Sequence, residues 1–275
     1  AEIKPRVTGL ANGDFVVTWQ DGFYDGDQYI YGTTSSFTIQ GQRYNSGGNA
    51  IGSVFQVNAS TTHNQEAPAI TALNNGGFVV TWQSDNDWSI KAQVFDASGS
   101  KLGSEITASS STNVQKLLPT VTALANGGFV TTWVDGSSNI AAQVFDASGQ
   151  KVGNPLQVNV PSGYSSYYAN PTIALGYGGF VVTWIDSDGI HGDSSGSAIM
   201  AQTFDSSGNK IGSEFLINTQ TAGYQVYPVI AALSNGGFAV SWQDGDQYGL
   251  YPGSGTLGDT SGSGIKAQVF GMNTL

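Results

Sequence analysis

The chain has 275 residues, no cysteine and a formal net charge of −11 at pH 7. Without cysteine there are no disulfides and no thiolate metal sites, and nine scattered basic residues make no stripe for a phosphate backbone. Thirty-eight glycines point to many tight turns rather than helices, and no apolar run approaches the ~20 residues of a membrane-spanning helix.

The elements repeat along the chain. Pro5–Leu10 opens as a short strand, and a phrase of the type Asn-Gly-Gly-Phe-Val-Val-Thr-Trp follows at Asn12–Trp19. The phrase returns at Asn75–Trp82, Asn126–Trp133, Tyr177–Trp184 and Asn235–Trp242. Its tryptophans lie 63, 51, 51 and 58 residues apart. From Trp242 through Leu275 and on to Trp19 is 52 residues, so the first and last repeats are expected to be neighbours. A later phrase recurs as Ile90–Phe95, Ile140–Phe145, Ile199–Phe204 and Ile265–Phe270, with the divergent Ile39–Tyr44 in the first repeat.

The second repeat shows the expected strands. Pro68–Leu73 is one. Asn74-Asn75-Gly76-Gly77 is a hairpin turn, because Asn and Gly tolerate positive φ. Phe78–Gln83 is β-branched and apolar, and a variable loop, Ser84–Ser89, follows it. Ile90–Phe95 is the third strand, Asp96-Ala97-Ser98-Gly99 a turn, and Glu105–Thr107 a short fourth strand. Four antiparallel strands in about fifty residues, repeated five times, give an all-β fold: a five-bladed β-propeller of four-stranded antiparallel blades. Residues 1–275 form a single domain with repeats near 5–60, 61–112, 113–162, 163–222 and 223–275. The last repeat stops after its third strand. Ala1–Lys4 resembles Ser104–Thr107 and is one candidate to replace the missing strand. Otherwise an open edge remains and invites head-to-tail self-assembly.

Ala125–Trp133 and Ile140–Gly149 resemble the propeller-like repeats of large secreted bacterial surface proteins, the calcium-associated adhesins. The resemblance spans essentially the whole chain and rests on structural motifs. It implies an extracellular or cell-surface setting. The glycine-rich calcium nonapeptides of those proteins do not occur here.

The loop after each Trp strand differs most between repeats, and these loops are expected on one face. Their aspartates Asp21, Asp25, Asp27, Asp186, Asp188, Asp193, Asp244 and Asp246 are candidate calcium ligands, since hard cations want oxygen donors on sharply turning backbone. The same Asp–Gly runs are also ordinary turn formers. Tyr24, Tyr29, Trp88, Tyr248 and Tyr251 are candidate glycan contacts, because flat rings stack on sugar faces. Tyrosines also pack at sheet junctions with the hydroxyl outward.

A glycosidase needs two placed carboxylates, and the five Pro-led strands, expected innermost, contain no Asp or Glu. Loop acids such as Glu66 are the remaining enzyme candidates. His63 and His191 make no metal-ligand spacing, and there is no nucleophile elbow or phosphate loop. The expected function is therefore an extracellular binding or adhesion module for glycans, not an enzyme. The alternative is a building block of a surface layer or filament joined through the open edge. Nucleic acid and membrane insertion are not expected.

Overall fold

The computed structural model describes residues 2–22, 37–109, 114–136, 139–160, 171–187, 195–245 and 263–271. All regular structure among them is β. The first sheet runs β1 (Glu2–Gly9), β2 (Phe15–Asp21), β3 (Thr38–Tyr44) and β4 (Ala50–Gln56). The second runs β5 (Gln65–Ala72), β6 (Phe78–Ser84), β7 (Ser89–Phe95) and β8 (Lys101–Thr107). The third holds β9 (Lys116–Ala123), β10 (Phe129–Asp135), β11 (Asn139–Phe145) and β12 (Lys151–Gln157). β13 (Thr172–Ala174), β14 (Phe180–Asp186), β15 (Ser195–Phe204) and β16 (Lys210–Leu216) make the fourth unit. β17 (Ala222–Ala232), β18 (Phe238–Gly245) and β19 (Ser263–Phe270) follow, tied to the fourth unit by a short parallel pairing of Ser195–Ser197 with Ala222–Tyr224. Within each unit consecutive strands pair antiparallel, as local hairpin connections require.

The repeated phrases have physical reasons. In the first turn of each unit a leucine carbonyl accepts the N–H of a glycine at positive φ, as in Leu73 and Gly76. The next glycine is required by close approach: a Cβ on Gly77, Gly128, Gly179 or Gly237 would lie 2.1–2.2 Å from a phenylalanine carbonyl oxygen of the third strand. The two recurring phenylalanines are cross-strand partners and stack, with centroids 4.6 Å apart for Phe78–Phe95 and 4.7 Å for Phe129–Phe145. The glutamine of the third-strand phrase is buried. Its amide donates to its neighbour's carbonyl and to a fourth-strand carbonyl, Val144 and Val152 for Gln143, so the carbonyls at the irregularity there are satisfied.

Sheets pack face on face through these side chains. Leu73, Val79, Ile90, Ala92 and Val94 of the second sheet bury against Phe129, Trp133 and Phe145 of the third. Third-sheet Val130, Ile140 and Val144 meet Phe180, Val182 and Trp184 in the same way. β6 and β14 are buried along their whole length, because each lies between two sheets. β1 packs against β5, β5 against β9, β9 against β13 and β13 against β17, so the first strands line up as the inner strands.

The expected all-β order of four-stranded antiparallel units stands, with three differences. The N-terminal residues do not complete the last unit: Glu2–Gly9 is the first strand of the first sheet. The fourth strands are longer than Glu105–Thr107 suggests, because the Asp96–Ser100 turn closes at once and a positive-φ Gly103 carries the strand through its irregularity. The terminal sheets do not bury their outward faces on each other. Val7 is 65% exposed on one, and Ile265 and Val269 are 78% and 62% exposed on the other.

Candidate functional site

Four inner strands, β1, β5, β9 and β17, break register just before their prolines. Lys4, Ala67, Leu118 and Tyr227 precede Pro5, Pro68, Pro119 and Pro228, and each has positive φ between 51° and 55°. The following proline disfavours right-handed helical backbone at these residues, and a non-glycine residue in the left-handed region stores strain. The pairing shifts there, as between Glu66 and Ala69. Such a bulge re-aims side chains and extends the strand by an unexpected turn of chain.

The extension corrects the sequence reading. β5 begins at Gln65, not Pro68, and takes Glu66 into the inner strand. Glu66 lies opposite Gln83, where the corresponding pairs are Ile3–Gln20, Leu117–Val134 and Val226–Gln243. An acid thus stands where three other repeats carry an aliphatic side chain. This was the signal available in the sequence: an acid two residues before the recurring proline.

Glu66 is 12% exposed at its side chain, and Lys4 Nζ of the neighbouring sheet lies 3.7 Å from its carboxylate. Burial pushes the Glu66 carboxyl above its ordinary value, Lys4 pulls it down and Asp85 pushes it up, leaving a net rise. The lysine does not win, because the contact is long and its own side chain is 44% exposed and screened by solvent. Asp85 is placed by its backbone N–H, which donates to the Asn64 carbonyl at 2.9 Å. Gln20 Oε1 accepts the Ala67 N–H at 3.3 Å and ties the bulge to the first sheet. Trp82 Nε1 donates to Gln65 Oε1 at 2.8 Å and fixes the residue before Glu66.

Trp88 stands on the same rim, 39% exposed and at positive φ, in the β6–β7 connection. Beside it Asp87 accepts from Lys91 Nζ at 2.6 Å and from the Ser89 hydroxyl. Burial opposes ionisation of Asp87, but these hydrogen bonds outweigh it and hold the carboxyl below its usual range. The variable loops leave from the ends of the second strands, which pair with the beginnings of the inner strands. The rim with Glu66 is therefore the rim from which those loops depart.

Of the other expected glycan contacts, Tyr24, Tyr29, Tyr248 and Tyr251 lie outside the described residues, as do Asp25, Asp27, Asp188, Asp193 and Asp246 of the calcium set. Asp21 and Asp186 end β2 and β14 and Asp244 lies near the end of β18, so they belong to three different repeats. Asp244 is buried and accepts from Gln225 Nε2 at 3.0 Å. Among the described residues no group of three or more acidic or histidine side chains is arranged to hold a metal ion.

Solved structures share this architecture. A protein of unknown function from Dyadobacter fermentans superposes with a TM-score of 0.57 at 11% identity, over 99% of this chain and 79% of that one. The NanB sialidase of Streptococcus pneumoniae superposes at 0.58 and 9% identity, over all of this chain and 56% of that one. A GH43 endo-arabinanase from Bacillus licheniformis covers 97% of this chain and 92% of its own, with a TM-score of 0.44 and 17% identity. The fold is propeller-type. No protein-family model matches the sequence, and no curated protein does.

A sialidase shares this fold, and the inner-strand Glu66 removes the ground on which a non-enzymatic adhesion or filament module was expected. Two neighbours of stated activity that superpose with a TM-score of at least 0.50, the NanB sialidase and a puromycin hydrolase, are hydrolases. Inner strands without acids were the ground for expecting no catalysis, and the extended inner strands carry two, the exposed Glu2 of β1 and the nearly buried Glu66 of β5.

Proposed function

We propose that this chain is a carbohydrate-processing enzyme, a five-bladed propeller that cleaves glycosidic bonds at the Glu66 rim, outside the cell. The observation that carries the reading is one carboxyl on an inner strand, nearly buried and held above its ordinary value, beside a second acid, Asp85. Titratable groups perturbed by burial and a specific charge partner gather at catalytic sites. The likeness to a sialidase supports the class of reaction and not the sugar.

In this reading Glu66 is the general acid. Its proton passes to the glycosidic oxygen while the bond from the anomeric carbon to that oxygen breaks, and the bonding pair stays on the leaving oxygen. Water adds to the anomeric carbon and gives its proton to Asp85. Glu66 is reprotonated from solvent and Asp85 releases its proton to solvent, which restores the starting state. Lys4 is a positioning residue that holds the Glu66 carboxyl toward the rim, and Trp88 offers an aromatic face on which a sugar ring stacks.

The test is release of reducing ends from a panel of polysaccharides, arabinan and sialylated glycans included, by the wild-type chain and by Glu66→Gln. Release from at least one substrate, lost in the variant, supports the reading. No release from any, or equal release by both, overturns it.

A further inference from the structure

The opposite ends of the inner strands carry a second feature. Turns of the second to fifth repeats converge there on a cavity of about 660 Å³. That volume lies within the range of small-molecule sites. Leu124, Leu175 and Leu233 and the alanines before them supply apolar lining, and Asn74, Tyr177, Ser234 and Asn235 supply polar groups. No charged side chain lines it.

Repeat four departs from the pattern at this place. In the other four repeats the turn asparagine accepts a backbone N–H two residues on: Asn12 from Asp14, Asn75 from Gly77, Asn126 from Gly128 and Asn235 from Gly237, at 3.0–3.1 Å. Tyr177 replaces that asparagine and cannot make the bond, which gives up roughly 1 kcal/mol. Tyr177 is 44% exposed, yet its ring lies over Gly179, where a Cβ would come within 2.8 Å of Cε2. Local stability is relinquished in one copy of five, and an aromatic ring is fixed at the mouth of a cavity. Rule-breaking of this kind marks functional positions.

We propose that this cavity is a second, non-catalytic site for a neutral sugar ring, with Tyr177 as the stacking face. Asn235 uses its Oδ1 in the turn and keeps two amide hydrogens for sugar hydroxyls. Ser234 adds a hydroxyl; the Asn74 amide is already spent on the Leu124 and Ala125 carbonyls, so that side chain contributes only its Oδ1 as an acceptor. The lack of charged lining, in a chain of net charge −11, disfavours phosphates and carboxylates. A wholly apolar ligand would strand the polar groups. A pyranose or furanose satisfies both halves, with an apolar ring face and a fringe of hydroxyls. The site is independent of the cleavage reading, since eight residues of the inner strand and its turn separate Glu66 from Asn74, roughly 26 Å at ~3.3 Å per residue.

The experiment is amide NMR on the full-length Glu66→Gln chain, so that no probe is cleaved, titrated with arabinohexaose, cellohexaose and maltohexaose. The amides of Gly178, Asn235 and Gly236 are expected to shift with at least one of them. Tyr177→Asn restores the turn asparagine, so the melting temperature should hold or rise while those shifts fall at least tenfold in apparent affinity. Shifts confined to the Asp85–Trp88 rim, no shifts at all, or shifts that persist in Tyr177→Asn would overturn the proposal. The readout is binding at the end away from Glu66, so failure of the cleavage reading leaves it intact.

Discussion

Lys4 and Glu66 belong to different sheets and meet at the rim, Nζ 3.7 Å from the carboxylate. Lys4 lies on the first-sheet bulge, and Glu66 directly precedes the corresponding bulge residue, Ala67, of the second. The contact therefore exists only because the register break recurs at the same height in both strands.

Removing the lysine charge leaves burial and Asp85 acting on Glu66, and both push its carboxyl up. For a general acid that keeps its proton to higher pH, the alkaline limb of the kcat/KM profile moves upward. Lys4→Met is expected to show that shift with only a modest loss at the optimum. An unmoved limb would separate Lys4 from the acid.

The raised Glu66 carboxyl also predicts a stability signature. A carboxyl whose folded value lies above its unfolded one binds more protons when folded. Stability is then lost as pH rises from the unfolded value through the folded one. Glu66→Gln removes that loss. Its melting temperature should match wild type in acid, below the ordinary glutamate range, and exceed it at neutral pH. A variant less stable than wild type at neutral pH would contradict the burial argument.

Equivalent positions should differ in cost according to whether a sheet covers them. Val144 is fully buried between the third and fourth sheets, whereas Val269, its counterpart in the last unit, is 62% exposed. Val144→Ala is expected to cost about 2 kcal/mol and Val269→Ala within about 0.5 kcal/mol, read by urea unfolding. Equal costs would mean that the outward face of the last unit is covered in solution.

Gly128→Ala should be among the most damaging substitutions. Its Cβ would stand 2.2 Å from the Phe145 carbonyl oxygen, a backbone atom that cannot swing aside. Overpacking of this kind costs roughly 1–3 kcal/mol, visible as a lower denaturant midpoint. An unchanged midpoint would show that the hairpin gives way freely.

The repeat made the architecture legible. Phe78, Gly77 and Gln93 each recur because one local geometry needs them: a ring stack, a close carbonyl and an irregular strand pairing. Strand order within a unit followed from hairpin turns alone. The site was harder to read, because Glu66 reaches the inner strand only through the bulge at Ala67. A positive φ at a non-glycine residue before proline has no sequence signature of its own. Tyr177 was visible as an exception in the turn phrase, but its exposure at the mouth of a cavity comes from turns about fifty residues apart in sequence.

The central claim is that Glu66 donates the proton to a leaving oxygen, and the dependence on leaving group tests it most directly. On a glycan with a sugar leaving group, Glu66→Gln should lose roughly 10²–10⁴-fold in kcat. On the corresponding 2,4-dinitrophenyl glycoside, whose leaving group needs no proton, the loss should nearly vanish. Equal loss on both substrates, or no cleavage of either by the wild-type chain, would contradict the account.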